Sequence, residues 1–269
     1  MSRSKKFIAL LVAILVPLGA AASAQAGGES VVAKTNVKPR AGKFHKKTRV
    51  PSKLTVSATV TPGAASATVT PTKRINLKLP PGLSFKPDRR VCNDRKLNPQ
   101  SSLGDPKGIV AACKRAVVGT GTALIYLAKN KVSPLNDPVL VVFNAGKNRK
   151  GQPKLKIYGF SKQTGVGVLM QATLKRRSLS IAIPVLSFDS AVGDFKIQLP
   201  GPLLNRPDIG VKTRGKNARY VRASCPRSPL VTRATFVFGE RNPSTGKPTG
   251  PTTKVNSPAT KQKCRAKRR

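Results

Sequence analysis

Acidic residues are scarce: 9 Asp and Glu stand against 51 Lys and Arg, giving a formal net charge of +42 over 269 residues. A chain so poor in carboxylates has little with which to hold a cation. It contains no D-x-D run of the closely spaced oxygens that calcium needs. Histidine occurs once, as His45, between Phe44 and Lys46. A Ser-His or Cys-His nucleophile needs an imidazole fixed by packing and by a carboxylate, so His45 reads as a solvated residue. Tryptophan is absent and aromatics make up 4%. Tyr126, Tyr158, Tyr220 and most of the phenylalanines fall at strand positions, which leaves little for stacking on single-stranded nucleic acid. There is no recognition helix or zinc finger, so no sequence-specific nucleic-acid partner is expected. G-x-S-x-G and H-E-x-x-H are missing, and the glycines of GTGT (119–122) and TGVGV (164–168) lack the spacing and following helix of a phosphate cradle. No segment sustains an amphipathic helical period over twelve residues. These absences leave no cofactor and no catalytic set, and the expectation is a protein that is not an enzyme.

What is present begins with a leader. Arg3, Lys5 and Lys6 precede an uncharged apolar run from Phe7 to Ala22, followed by small residues at Ala22, Ser23 and Ala24 and again at Ala24, Gln25 and Ala26. This is the pattern of a secretory signal peptide over 1–26, and the run is too short for a membrane span. No later segment is apolar enough to cross a membrane, so a secreted or cell-surface location is expected. Removing the leader takes away only three basic residues, so export does not account for the charge. In an oxidising compartment four cysteines favour disulfides, with three possible pairings. Their order suggests two local staples, Cys92 with Cys113 and Cys225 with Cys264. A zinc site of four thiolates is the alternative, but no C-x2-C or C-x4-C spacing supports it.

After the leader, residues 27–52 show no sustained period and carry a dense basic run, which reads as a flexible cationic arm. The texture then changes. Lys53 to Val60 alternates Leu54, Val56, Ala58 and Val60 with polar partners, the period of a half-buried strand. Further strands are expected at Arg74 to Leu79, Val117 to Ala128, Val139 to Asn144, Lys154 to Phe160, Val166 to Lys175, Leu179 to Ile183, Asp194 to Leu199, Arg219 to Ser224 and Val231 to Phe238, with short helical turns near Asn93 to Leu97 and Pro106 to Cys113. Gly/Pro turn clusters separate them. The expectation is an all-β, antiparallel β-sandwich, immunoglobulin-like or related, over 53–264, as one domain or two closely packed halves, with a basic tail at 265–269. LKLPPGL (77–83) and IQLPGPL (197–203) are weakly similar and mark either related halves or one strand-exit turn used twice.

The succession LPPGLSFKP (79–87), Cys92, Cys113, VVGTGTA (117–123), VVFNAG (141–146) and RASCP (222–226) resembles a group of uncharacterised secreted proteins from high-GC Gram-positive, actinobacterial soil bacteria. The resemblance implies export, an all-β sandwich and two disulfides over roughly 53–264. It implies no chemistry. The strong basicity here departs from the more even charge of that group.

Candidate sites reduce to carboxylate pairs and cationic clusters. Glycosidases need two carboxyls at a set separation, and the pairs on offer are Asp189 with Asp194, Asp88 with Asp94, and Asp137 with Asp208. Turn aspartates are common for conformational reasons alone. Basic clusters recur at 38–49, 86–96, 147–156, 175–177, 212–222 and 261–269. Such a charge attracts polyanions. The expected contacts are Lys38, Arg40, Lys43, Lys46, Lys47 and Arg49 in the arm, with Arg265, Lys267, Arg268 and Arg269 in the tail. The leading expectation is an exported, non-catalytic protein that binds an anionic cell-wall or extracellular polymer. A secreted hydrolase of a polyanion and a structural component of a surface assembly are the alternatives, and a solvated basic coat is the simplest account of the charge.

Overall fold

The computed structural model describes residues 28–63, 68–87, 90–93, 97, 103–185 and 190–267. The leader at 1–26, Arg268, Arg269, Asp88, Asp94 and Asp189 lie outside these residues. The strands are β1 (Ser30–Pro39), β2 (Val50–Thr61), β3 (Thr72–Lys78), β4 (Ser84–Phe85), β5 (Val117–Tyr126), β6 (Val139–Lys147), β7 (Pro153–Ser161) and β8 (Val166–Lys175). They continue with β9 (Ser178–Ala182), β10 (Ala191–Leu199), β11 (Leu204–Arg206), β12 (Val211–Thr213), β13 (Val221–Ala223), β14 (Leu230–Phe238), β15 (Thr253–Asn256) and β16 (Thr260–Gln262). A short α-helix, α1 (Pro106–Ala112), is capped by the Asp105 side chain, which accepts from the Gly108 N–H at 2.9 Å.

All ladders are antiparallel, as expected. Pairing follows one continuous path, β14-β3-β9-β8-β7-β6-β5-β10-β2, with β1 on the far side of β2, β15 and β16 beside β14, and β13 and β4 continuing beyond the start of β2. β11 and β12 form a separate pair. A division into two facing sheets of the immunoglobulin kind does not show in this pairing. The large sheet instead rolls until its ends meet, with β1 lying against β14, β15 and β16.

The meeting of the ends corrects the reading of 27–52 as a flexible arm. Residues 30–39 form β1, in full register with β2 from Ser30↔Thr61 to Pro39↔Ser52. Val31, Ala33, Thr35 and Val37 point inward and are buried, while Lys34, Asn36 and Lys38 point out. The period is that of a strand, with small and polar residues at two of the four inward places.

The outer edge of β1 makes no ladder with another strand, yet its buried peptide groups must be paired. Side chains do this. The Ala33 N–H donates to Ser257 Oγ at 3.0 Å and its carbonyl accepts from Thr260 Oγ1 at 2.8 Å. The Val37 N–H donates to Gln262 Oε1 at 2.8 Å and its carbonyl accepts from Gln262 Nε2 at 2.7 Å. Between them the Thr35 and Thr232 hydroxyls bond each other.

The inward residues of the ring strands form one core, including Leu54, Val56, Ile75, Leu77, Ile157, Ile181, Phe236 and Phe238. β6 and β7 are buried on both faces. Their outer residues Val141, Phe143, Tyr158 and Phe160 are covered by a second cluster that includes Ile109 and Val110 of α1 and Cys92–Cys113. Hence VLVVFN reads as an unbroken apolar run: both of its faces meet apolar neighbours. Tyr158 anchors this layer by donating to the Leu103 carbonyl at 2.6 Å.

The closure generates a stability prediction. Gln262→Ala leaves a buried N–H and carbonyl of Val37 without partners and should cost about 1–3 kcal/mol. Lys34→Ala on the exposed face of the same strand should stay within about 0.5 kcal/mol of the parent. Urea denaturation of the oxidised protein measures both.

Candidate polyanion interface

In an antiparallel roll, successive connections fall at opposite ends of the strands. The β1–β2 connection (40–49), the β6–β7 turn (148–152), the β8–β9 turn (176–177), the exit of β3 and the start of β5 share one end, as the registers show. The C-terminal segment reaches this end along β16, which pairs with the beginning of β14. The segment 212–222 joins it through the Lys216 N–H donating to the Val117 carbonyl at 2.9 Å and through Arg222 pairing with Pro51. Among the described residues, the basic clusters at 38–49, 147–156, 175–177, 212–222 and 261–267 therefore gather at one end of the roll.

The acidic residues sort the other way. Glu29 precedes β1, Asp194 lies near the start of β10 and Glu240 follows β14. Asp137 precedes β6, and Asp208 is within reach of Lys162 in the β7–β8 turn. Asp105 caps the end of α1 nearer the start of β8, where Gly167 packs against Leu103. Every acidic residue among the described ones is thus remote from the basic end. The sequence shows the same thing as gaps: there is no Asp or Glu in 30–87, 209–239 or 241–269.

Backbone bonds bring the predicted contacts together. The Lys267 N–H donates to the Phe44 carbonyl at 2.7 Å, the Cys225 N–H to the His45 carbonyl at 2.9 Å and the Arg40 N–H to the Pro51 carbonyl at 3.0 Å. Phe44 is buried in the core beside Cys264 and acts as the anchor of the loop. Around it Lys38, Arg40, Lys43, Lys46, Lys47 and Arg49 are exposed, and so are Arg265 and Lys267. None of these eight forms an ion pair with a described acidic residue. The His45 side chain is exposed among them. Cys225–Cys264 (Cα–Cα 6.1 Å) ties the tail to the segment after β13, and Cys92–Cys113 (Cα–Cα 5.5 Å) ties the outer layer together, the pairing that the order of the cysteines suggests.

Two members of this surface were not singled out from the sequence. Lys53 stands directly opposite Lys38 in the β1–β2 register, with both side chains exposed. Arg222 donates from Nη2 to the Arg49 carbonyl at 2.6 Å, and Arg49 donates from Nε to the Gly82 carbonyl at 3.1 Å. The signal for Lys53 is its parity within KLTVSATV, which puts it on the solvent face. Arg222 becomes visible only once β13 is known to extend the sheet beside β2.

The carboxylate pairs fare differently. Asp137 and Asp208 do come together, joined by Arg206, which donates from Nη1 to the Asp137 carbonyl at 3.2 Å and grips the Asp208 carboxylate at 2.8 and 2.7 Å. That guanidinium holds the Asp208 carboxyl down at about 2. The Asp137 carboxylate accepts from Ser161 Oγ at 2.7 Å and from the Gln163 N–H at 3.0 Å. A general acid needs a carboxyl held above its ordinary range, and Asp208 is driven the opposite way. Asp194 stands near Tyr126, whose phenol is pushed up first by burial and then by that carboxylate. Burial also raises the Tyr158 and Tyr220 phenols. Both rings are enclosed in the core, as their strand positions suggested, and are unavailable for stacking on a base.

The fold and its staples define a disulfide-bonded antiparallel β protein with its charges sorted by end. No protein-family model, curated protein or solved structure matches the chain.

Like charges directly opposite on neighbouring strands destabilise a sheet. Lys53→Glu should therefore raise stability by about 0.2–1 kcal/mol at low ionic strength, and the gain should shrink in molar salt; urea melts at the two ionic strengths measure it. The Asp208 carboxyl should titrate with a midpoint near 2 by carbon-13 NMR. Its depressed value contributes stability above the ordinary carboxylate range that disappears as the pH falls through 2, and Arg206→Ala should move the midpoint upward.

Proposed function

We propose that this is an exported, non-catalytic β protein that adheres to an anionic cell-wall or extracellular polymer through the basic end of its roll. The observation that carries this reading is the joining of the 40–49 loop and the 265–267 tail into one exposed surface with no described acidic residue near it. Polyanions bind such surfaces by displacing condensed counterions, a term that grows with the number of charges placed together. The protein meets the cost of assembling repelling groups with Phe44, the loop-to-tail backbone bonds and the Cys225–Cys264 staple.

Supporting the extracellular setting, all four cysteines are in disulfides, which persist in oxidising compartments. Among the described residues no helix is long and apolar enough to cross a membrane. Binding by shape and charge rather than by base sequence suits a surface of flexible lysines and arginines on loops. Hydrolysis is the weaker reading, because the carboxylate pair brought together among the described residues, Asp137 and Asp208, is occupied by Arg206, Ser161 and Gln163.

The test compares two quadruple alanine variants of equal net charge. One removes Lys43, Lys46, Lys47 and Arg265 at the basic end. The other removes Lys107, Lys162, Lys247 and Lys254, which are exposed toward the opposite half. Binding to duplex DNA and to purified wall polymer is measured across a salt series, with a neutral polysaccharide as blank. The basic-end variant should lower the slope of log affinity against log salt on DNA by about 3 to 4 and lose retention on wall polymer, while the other stays close to the parent. Equal losses would mean that bulk charge alone is at work and would end the proposal.

A further inference from the structure

The end of the roll opposite the basic surface opens into an apolar cavity of about 300 Å³. Seven strands that follow one another in the ring, from β3 through β9, β8, β7, β6 and β5 to β10, line its concave side. Ile75, Ile125, Leu140, Ile157, Met170 and Phe195 represent six of them. Gly159 faces inward between Leu140 and Val168 in register, and the side chains of these two neighbours close over it in the lining.

The mouth lies where β5, β7 and β9 end and β6, β8 and β10 begin, and Leu127, Thr164 and Pro184 sit around it. Several apolar residues of the lining, among them Ile125, Val168, Met170 and Ile183, are only half-buried although they point inward. They face open space rather than packed neighbours. In the closed half of the roll the inward residues Leu54, Leu77, Leu79 and Leu199 are fully buried. A well-packed core leaves few voids larger than a water molecule. A void this large on an apolar inner face has the size and lining of a ligand pocket.

Its chemistry defines the class of occupant. Among the described residues no charged side chain lines it, and the polar lining residues are Ser161, Thr164 and Ser190 near the mouth. Along β10 the lining extends from Ala191 to Ile197, a depth of roughly 20 Å at ~3.3 Å per residue. Spread over that depth, the volume leaves a channel about as wide as one hydrocarbon chain rather than a fused ring system. Apolar cavities of ~150 Å³ take benzene, so this one has room for roughly ten to twelve non-hydrogen atoms.

We infer that this cavity is a binding site for a single medium-length alkyl chain with an uncharged head, the chain lying along the strands and the head among the hydroxyls at the mouth. The site is distinct from the basic surface, which lies at the far ends of the same strands.

The probes are 1-decanol and decanoate, titrated calorimetrically into the oxidised protein at 150 mM salt. One saturable site for 1-decanol is expected. Ala123→Phe and Val168→Phe, which place a ring in the cavity, should each weaken it at least tenfold while far-UV circular dichroism stays that of the parent. Met170→Ala lengthens the space and should shift preference from 1-decanol to 1-dodecanol, a reading that does not depend on the filled variants folding. The quadruple variant at the basic end should bind 1-decanol within twofold of the parent. Absence of saturable binding would overturn the inference, as would folded Phe variants that bind like the parent. Tighter binding of decanoate than of 1-decanol would overturn the uncharged class and return the ligand to the basic surface.

Discussion

The outer edge of β1 is the constraint on which the rest of the molecule depends. A strand in that position carries peptide groups that must be paired once they are shielded from water. No ladder supplies the partners, so Ser257, Thr260 and Gln262 take the role of a missing strand, one side chain at a time. Because they come from the segment just before the tail, pairing the edge and folding that segment down are one event. The same event closes the ring, covers Val31, Ala33 and Val37, and carries Arg265 and Lys267 to the 40–49 loop. An edge dressed in side chains also offers no template for another chain, which answers the usual hazard of a terminal strand.

Charge sorting follows from the topology. In an antiparallel roll a turn belongs to one end or the other by its place in the order of strands, and the described carboxylates are confined to one end while the loop and tail at the other carry only lysine and arginine as charged side chains. Repulsion at the basic end is then opposed locally. Lys38 and Lys53 face each other on adjacent strands, and the surrounding loop is held by Phe44 in the core and by Cys225–Cys264 behind it. At the opposite end Glu240 pairs with Lys129 and Asp208 with Arg206.

Much of this was legible in the residues. Alternation in KLTVSATV and RINLKL identifies half-buried strands, and the unbroken VLVVFN signals a strand covered on both faces. The order of the four cysteines suggests the staples, and the basic clusters at 38–49 and 261–269 mark the candidate interface. β1 was missed because its inward residues include Ala33 and Thr35, too small or too polar to register as apolar, and because the lysines that follow gave the segment the texture of a tail. β15 and β16, at four and three residues, are too short to show a period. That the clusters converge on one end depends on turn parity, which requires the strand order. The cavity left no trace, because inward apolar alternation is the same whether the face meets packed neighbours or a void.

The closing contacts join residues 33–37 to residues 257–262, separations of more than 220 positions along the chain. Contacts of this span come late in folding, since the entropy of bringing such distant segments together must be spent before they contribute anything. The ring therefore stays open, with β1's edge unpaired, until residue 262 is free to fold. If the chain is exported as proposed, what carries it handles a polypeptide whose basic loop and basic tail repel each other and whose first strand can pair with β2 but has its outer edge uncovered. On that reading closure before export is opposed by the wiring of the fold, and a chain delivered unfolded arrives with its staples still to be oxidised.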